Sequence, residues 1–294
     1  MSRAVVLPGY GAADVLVVSD VEVPEPGDGQ IRLRVRAAGV GPTDLEIRRG
    51  ALQQAFPLTF PAVLGFEAAG VVDAVGPGVT GVRAGDEVAA LLPRLGGYGE
   101  YVLASIWAPK PAAVGWADAA ALPASAEAAV GIVRQTGVTA GDTVLVLGGG
   151  GSVGLIAVQL AVAAGARVLS VVGARDERLT AEIGAEPIRY DRGLAAQVGA
   201  PVDVLLDAAG HGLAEAVTLV EHPERAITLA GHTAGVRFSA PTPDRAPDAL
   251  DVTLALLASG DLRLRDRREF PLDDAADAHA ALEGGLRAKV VLLS

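Results

Sequence analysis

The run Val144-Leu145-Val146-Leu147-Gly148-Gly149-Gly150-Gly151-Ser152-Val153-Gly154 joins an apolar strand to an apolar helix through a block of glycines. Gly149, Gly151 and Gly154 fit the spacing G-x-G-x-x-G. In that motif the first glycine permits a tight turn, the second admits a pyrophosphate to the backbone, and the third lets helix and strand approach closely. Gly150, Ser152 and Val153 complete a loop whose free N–H groups and helix macrodipole bind an anion. A buried strand at 143–147 and a proline-free helical stretch at 153–164 supply the context that the motif requires. A dinucleotide is therefore the expected ligand.

The next strand, 167–172, decides which dinucleotide. An NAD site places an acidic residue at its end to accept from the ribose 2′-OH, and that carboxylate repels a 2′-phosphate. Here the strand runs into Gly173-Ala174-Arg175. Arg175 offers a guanidinium fork to a phosphate, so NADPH is the expected cofactor. The alternative is that Arg175 pairs with Asp176 or Glu177 on the surface. Further on, Ala230-Gly231-His232 follow another buried strand. His232 has a pKa suited to proton donation or carbonyl polarisation, and the alternative is a solvent-facing loop histidine.

These residues need a scaffold. With 294 residues, 51% hydrophobic and 20% charged, the chain is long enough for two cores. A net charge of -11 leaves no overall basic field for nucleic acid. No secretory segment is evident and the apolar stretches are glycine-interrupted, so the expected location is the cytoplasm. The absence of cysteine excludes disulfides, thiolate metal sites and a cysteine nucleophile. Residues 1–113 read as an irregular β-rich domain. In it Gln30-Ile31-Arg32-Leu33-Arg34-Val35-Arg36 alternates as a strand with one wet, arginine-bearing face. From Trp116, helical stretches alternate with buried strands at 143–147, 167–172, 202–207 and 226–230, the order of a doubly wound parallel sheet. A strand-like piece from about Asp261, a helix at 273–282 and a closing strand at 289–293 end the chain. The expected division is 1–113 with 261–294, and 114–260.

Several strings resemble one family. They are Ala37-Ala38-Gly39-Val40-Gly41-Pro42-Thr43-Asp44, Gly65-Phe66-Glu67-Ala68-Ala69-Gly70-Val71-Val72, Val75-Gly76-Pro77-Gly78-Val79 and Gly85-Asp86-Glu87-Val88. Gly97-Tyr98-Gly99-Glu100-Tyr101, Ala120-Ala121-Leu122-Pro123, the glycine loop, 202–207 and Lys289-Val290-Val291-Leu292 continue the series. In this order they resemble the medium-chain dehydrogenase/reductase superfamily, in its zinc-free quinone oxidoreductase and enoyl reductase branch. The resemblance implies an α/β protein: a GroES-like β-rich catalytic domain, a Rossmann domain, and a cleft between them for nicotinamide and substrate. It further implies a homodimer paired near 226–230, where an apolar edge such as Ile227-Thr228-Leu229 would otherwise lie open. It places Ala230, Gly231 and His232 beside the nicotinamide carboxamide and Tyr190 near the adenosine phosphate. Lys289 matches a lysine of the closing strand; the alternative for it is an exposed strand-end charge.

The departures from the family also speak. Where alcohol dehydrogenases of this superfamily hold catalytic zinc, this chain has Gly41, Phe66 and Ser125, so no metal is expected. His211, His222, His232 and His279 show no ligand-like spacing and read as surface or cleft histidines. Relatives often carry asparagine at the place of Gly41 and a tyrosine soon after the Arg-x-Gly, where this chain has Ala51-Leu52-Gln53. The candidate proton donors are then Gln53, Glu127 and His232, with Asp44, Thr43, Ser125 and water beside them. The implied reaction is hydride transfer from NADPH to a quinone or an α,β-unsaturated carbonyl, a small molecule. Two alternatives stand: a reductase of carrier-bound enoyl thioesters, whose basic entrance would be the cluster Arg263, Arg265, Arg267 and Arg268, the first three on one strand face unless this is a solvated or subunit-contact strand, and a nucleotide-binding protein without redox chemistry.

Overall fold

The structure, a computed structural model, describes residues 1–231, 235–240 and 245–294. The strands in chain order are β1 (Ser2–Leu7), β2 (Val17–Val21), β3 (Ile31–Val40), β4 (Ala62–Val63), β5 (Glu67–Val75), β6 (Glu87–Leu91), β7 (Tyr101–Ala104) and β8 (Ile106–Pro109). They continue with β9 (Thr143–Leu147), β10 (Arg167–Val172), β11 (Glu186–Arg189), β12 (Val204–Asp207), β13 (Ala226–Thr228), β14 (Arg237–Phe238), β15 (Arg267–Pro271) and β16 (Lys289–Leu293). The helices are α1 (Pro42–Arg48), α2 (Trp116–Ala121), α3 (Pro123–Thr136), α4 (Ser152–Ala163), α5 (Glu177–Glu182), α6 (Leu194–Val198), α7 (Leu213–Val217), α8 (Ala249–Ser259) and α9 (Ala275–Glu283).

The chain divides into two units, Met1–Ala124 with Leu250–Ser259 and Asp266–Ser294, and Ser125–Ala249 with Gly260–Arg265. These bounds differ from the sequence-based ones in three places: 114–124 and 250–259 belong to the first unit, and 261–265 to the second. Helix α2 packs on β3, β5 and β16, which carries the first unit past 113. Residues 260–265 join the second unit because Gln159 of α4 grips the backbone of Arg263 from both sides, at 2.7 and 2.9 Å.

In the first unit a sheet runs in the order β15-β16-β3-β5-β6-β8, with β7 also on β3, beside a smaller sheet β2-β1-β4. Strand β3 buries Ile31, Leu33 and Val35 while Arg34 and Arg36 face water. Its third arginine is not on a plain wet face: Arg32 donates to Asp73 at 2.7 Å and Glu25 at 3.0 Å and lies over the Tyr101 ring. After register shifts at Arg32/Leu33 and Val35/Ala37, β3 becomes buried throughout as Ala37–Val40, where β16 pairs with it antiparallel. Small residues there let helix and neighbouring strands close over the sheet.

The second unit holds a parallel sheet in the order β11-β10-β9-β12-β13-β14. Its central strands Val144–Leu147 and Val204–Leu206 are fully buried, as a sheet covered on both faces demands. The chain leaves β9 for β10 on one side and later crosses to β12 on the other. The loop after β9 therefore lies at the topological switch point, where doubly wound sheets bind ligands. The edge is β14 and not β13: Ile227 and Thr228 pair with Arg237 and Phe238. The expected open edge at Ile227-Thr228-Leu229 is thus already covered. No helix among the described residues is long and apolar enough to cross a membrane.

Candidate functional site

In the second unit β9 ends at Leu147, and the chain turns into α4 through Gly148, whose φ of +76° is the left-handed conformation that glycine adopts without strain. The tight turn thus rests on Gly148, one residue before the glycine expected to make it. Gly149 sits on Ser170 of β10, where a Cβ would lie 1.9 Å from Oγ, and that hydroxyl is buried without a hydrogen-bond partner. Gly154 abuts the loop itself, a Cβ there falling 2.1 Å from the Gly148 carbonyl. Gly151 is the N-cap of α4 and supplies no side-chain cap. The first-turn N–H groups of the helix, from Ser152, Val153 and Gly154, lack intrahelical acceptors. Among the described residues, a Cβ on Gly151 would meet only the Gly148 carbonyl, at 3.2 Å. A pyrophosphate fits this cradle: an uncapped helix end, a dipole of the right sign and a loop of glycines that carries no side chains of its own.

Other parts of the second unit converge on the same loop. Tyr190 is half-buried, and burial raises its pKa while the nearby Gly148 backbone opposes the rise. Its ring meets His211 edge-on, with centroids 5.1 Å apart. Gly173 ends β10, and Arg175 is exposed with no ion pair among the described residues. Asp176, rather than Arg175, reaches the loop: a Cβ on Gly150 would lie 2.6 Å from its Oδ2. Asp207 at the end of β12 was not picked out from the sequence. Fully buried, it accepts from the N–H groups of Ala209 and Gly210 at 3.0 and 2.7 Å, and from Thr228 Oγ1 at 2.6 Å. Thr228 Oγ1 in turn accepts from Ala230 N at 3.0 Å, so one carboxylate orders the turns after β12 and β13 as far as Ala230. The signal was present in Val-Leu-Leu-Asp, an acid closing an apolar strand. His232 lies outside the described residues.

The remaining candidates have other partners. Glu127 on α3 is no loose surface charge, since both its oxygens are held by the buried Arg245. Arg245 packs its stem where a Cβ on Gly131 would stand 2.7 Å away. Gln53 and Thr43 are exposed, and Ser125 is buried. The four arginines expected on one strand do not share one. Arg263 pairs with Glu182 at 2.7 Å, Arg265 donates to the Gly150 carbonyl, and Arg267, which opens β15, pairs with Asp118 and Glu269. Residues 261–266 are not extended strand, so alternation has no meaning there. These arginines therefore do not build one basic face for a carrier.

In the first unit, the places of the zinc ligands offer no donor set. Gly41 has no side chain, and Phe66 stacks edge-on against Phe56 with centroids 5.3 Å apart. These residues do not fit a zinc ion. Beside them lies a buried ionic group. Lys289 pairs with Glu67, both almost fully buried, and Glu67 Oε2 accepts from Ala124 N at 2.8 Å. Lys289 is therefore no exposed strand-end charge. Its ammonium is on Glu67 in this unit, while the glycine loop belongs to the other. Gly39 is glycine because Glu67 lies over it, a Cβ there falling 2.2 Å from Oε1. Asp44 accepts from Gly41 N at 2.9 Å, and its Oδ1 is buried without a partner.

His279 is neither surface nor cleft. It is fully buried on α9, with Nδ1 facing the Arg48 guanidinium at 3.4 Å and Nε2 facing Tyr98 Oη at 3.0 Å. Arginine can only donate, so Nδ1 accepts and Nε2–H donates to the tyrosine. Arg48, also fully buried, donates further to Gly11 O at 3.1 Å and to Glu283. His222 comes close to Asp203 and Glu221 at the surface, but Asp203 Oδ2 already accepts from Thr143 N at 2.7 Å. The three form an exposed acidic corner.

Asp44 and His279 give opposite pH dependences. Burial pushes the Asp44 carboxyl up to about 7, the Gly41 N–H and Lys289 opposing and Glu67 reinforcing. Burial pushes His279 down to about 3, with Arg48 reinforcing and Glu283 opposing. Stability from the raised carboxyl is complete below its unfolded value of 3.8 and is lost as pH rises through about 7. Stability from the depressed histidine is complete above its unfolded value of 6.5 and is lost as pH falls through about 3. Between about pH 4 and 6 the two slopes cancel, each being about 1.4 kcal/mol per pH unit. Asp44→Asn keeps the acceptor for Gly41 N and removes one slope. Denaturant midpoints of this variant should then fall as pH drops from 6 to 5, where those of the parent stay level; parallel profiles would refute the pairing.

Known proteins place the architecture in a family. A family model described as alcohol dehydrogenase GroES-like domain matches residues 27–112. The chain is 32% identical over 300 residues to the chloroplastic NADPH-dependent alkenal/one oxidoreductase of Arabidopsis thaliana, covering 96% of this chain and 76% of that protein. It is 31% identical over 294 residues to 2-methylene-furan-3-one reductase of Solanum lycopersicum, covering 94% and 74%. The crystal structure of Escherichia coli quinone oxidoreductase complexed with NADPH matches with a TM-score of 0.85 at 25% identity, over 100% of both chains. A glycine cradle at the switch point of a parallel sheet, joined in one chain to a GroES-like β unit with these relatives, makes this protein a member of the medium-chain dehydrogenase/reductase superfamily, in its quinone oxidoreductase branch.

Proposed function

We propose that the protein is a zinc-independent reductase that takes hydride from NADPH and delivers it to an α,β-unsaturated carbonyl or a quinone. The observation that carries this reading is the pairing of an open phosphate cradle at Gly148–Gly154 with zinc-ligand positions occupied by Gly41 and Phe66. The relatives named above supply the substrate classes. NADPH, when bound, supplies the hydride from nicotinamide C4. For an enone, hydride joins the β-carbon, the π electrons move to the carbonyl oxygen, and a proton then restores the saturated carbonyl. A conjugated acceptor spreads the developing charge to a remote oxygen and so needs no Lewis acid.

The chain's own residues hold the coenzyme and leave the proton to water. Gly151 and the first turn of α4 hold the pyrophosphate, Tyr190 and Gly173 line the adenosine side, and Asp207 with Thr228 fixes the loop bearing Ala230 and Gly231. Glu127 is committed to Arg245 and Gln53 is a solvated loop residue. The protein works as a homodimer in this reading, with β14 as the outer strand of the nucleotide-binding sheet.

With C4-deuterated NADPH and a panel of enones, mass spectrometry should find deuterium at the β-carbon of the product. Prolonged chelation should leave the rate intact, and Glu127→Gln should cost well under the roughly hundredfold expected of a dedicated general acid. Tight NADPH binding with no oxidation by any enone or quinone would favour the non-redox alternative.

A further inference from the structure

Resting on the NADPH reading above, we propose that Arg265, with Asp176 as its counter-charge, is the cation that reads the 2′-phosphate of the coenzyme. Arg265 is placed on the glycine loop by a short segment that the chain sends back to the nucleotide-binding unit, residues 260–265. That segment is firmly anchored. Gln159 of α4 accepts from Arg263 N at 2.7 Å and donates to Arg263 O at 2.9 Å, and the Arg263 side chain pairs with Glu182 at 2.7 Å. Two residues on, the Arg265 guanidinium lies against the loop, its Nη1 donating to the Gly150 carbonyl. Its Nη2 stands 3.8 Å from Asp176 Oδ1.

Asp176 leans on the same glycine from the other side, its Oδ2 2.6 Å from where a Gly150 Cβ would be. It belongs to the turn that follows β10, the turn that meets the ribose 2′ position in this fold. A carboxylate there alone accepts from a 2′-hydroxyl and repels a 2′-phosphate. A carboxylate beside a guanidinium presents a neutral pair, and the guanidinium fork matches the geometry of phosphate oxygens. Arg175 lies in the same turn, but it is exposed and carries its full side-chain freedom into any complex. Arg265 is held in advance. The geometry therefore makes coenzyme choice a property of residue 265, far along the chain from the strand end that usually determines it.

The test is binding of NADPH and NADH to the full-length protein by calorimetry, with 2′,5′-ADP and 5′-AMP as probes of the adenosine half alone. Arg265→Met should weaken NADPH and 2′,5′-ADP by about tenfold or more, the worth of a charge-assisted hydrogen bond. NADH and 5′-AMP should stay within about twofold. Asp176→Asn, which keeps the shape and removes the negative charge, should tighten NADPH relative to NADH; this variant decides the matter if Arg265→Met does not fold. Equal loss of all four ligands in Arg265→Met would reduce Arg265 to a prop for the loop and overturn the proposal. So would a selective loss in Arg175→Ala that Arg265→Met does not show. A parent protein that prefers NADH would overturn the coenzyme reading instead, and the 2′,5′-ADP to 5′-AMP ratio in the variants would still test Arg265.

Discussion

Glu67→Ala should lower the unfolding free energy of the GroES-like unit by about 3–5 kcal/mol, the cost of leaving one member of a buried ion pair uncompensated. The expectation follows from what remains behind. Lys289, at 8% exposure, loses the carboxylate with which it pairs, and Ala124 N loses its acceptor. Lys289→Met should cost a similar amount by stranding Glu67. The combined Glu67→Leu, Lys289→Met protein should lose less than either single variant, because no charge is then left without its partner. Chemical denaturation followed by the fluorescence of Trp107 and Trp116, both in this unit, reads the result. A single variant as stable as its parent would show that the pair is solvated in solution.

Gly154→Ala should be the most damaging conservative change in the nucleotide-binding unit. The added methyl would stand 2.1 Å from the carbonyl of Gly148, and the obstacle is backbone, so helix or turn has to move. A displacement of this kind separates the first turn of α4 from the phosphates and should lower kcat/KM for NADPH by about a hundredfold. Gly115→Ala is the control: its Cβ would find only the Asp118 carboxylate, at 3.8 Å, and activity should be unchanged. Steady-state kinetics at varied NADPH would decide, and equal values for the two variants would mean that the loop is more pliant than its contacts imply.

The glycine loop was legible because its signal is local: a strand, a turn and a helix within about a dozen residues, each with its own pattern. The parallel order of the second sheet was legible for the same reason, as an alternation of element types. What sequence reading could not reach is partnership across the chain. Lys289 reads as a terminal charge until β16 is laid beside β3 and brings it to Glu67. Glu127 reads as surface until Arg245 covers it. The arginines at 263, 265 and 267 show strand-like spacing, yet Gln159 pulls the first away from any strand and the glycine loop takes the second. His279 carries no signal of its burial, since Arg48 and Tyr98 come from distant elements. Asp207 alone among the missed residues had a local mark, as an acid at the end of an apolar strand.

The antiparallel pairing of β16 with β3 bears on how the protein is made. Strand β3 emerges early in synthesis, and its segment Ala37–Val40 is buried throughout when folded, but the strand that covers it comes from 289–293. Until that strand is translated, the sheet has an apolar edge with open backbone groups, and the Glu67 carboxylate has no ammonium to neutralise it. Such an edge invites pairing with other nascent chains, and the distant closure slows folding. The β unit therefore cannot finish as an independent N-terminal domain: ribosome-bound chains halted before residue 289 should hold an incomplete sheet there, although every strand of the nucleotide-binding unit has been made.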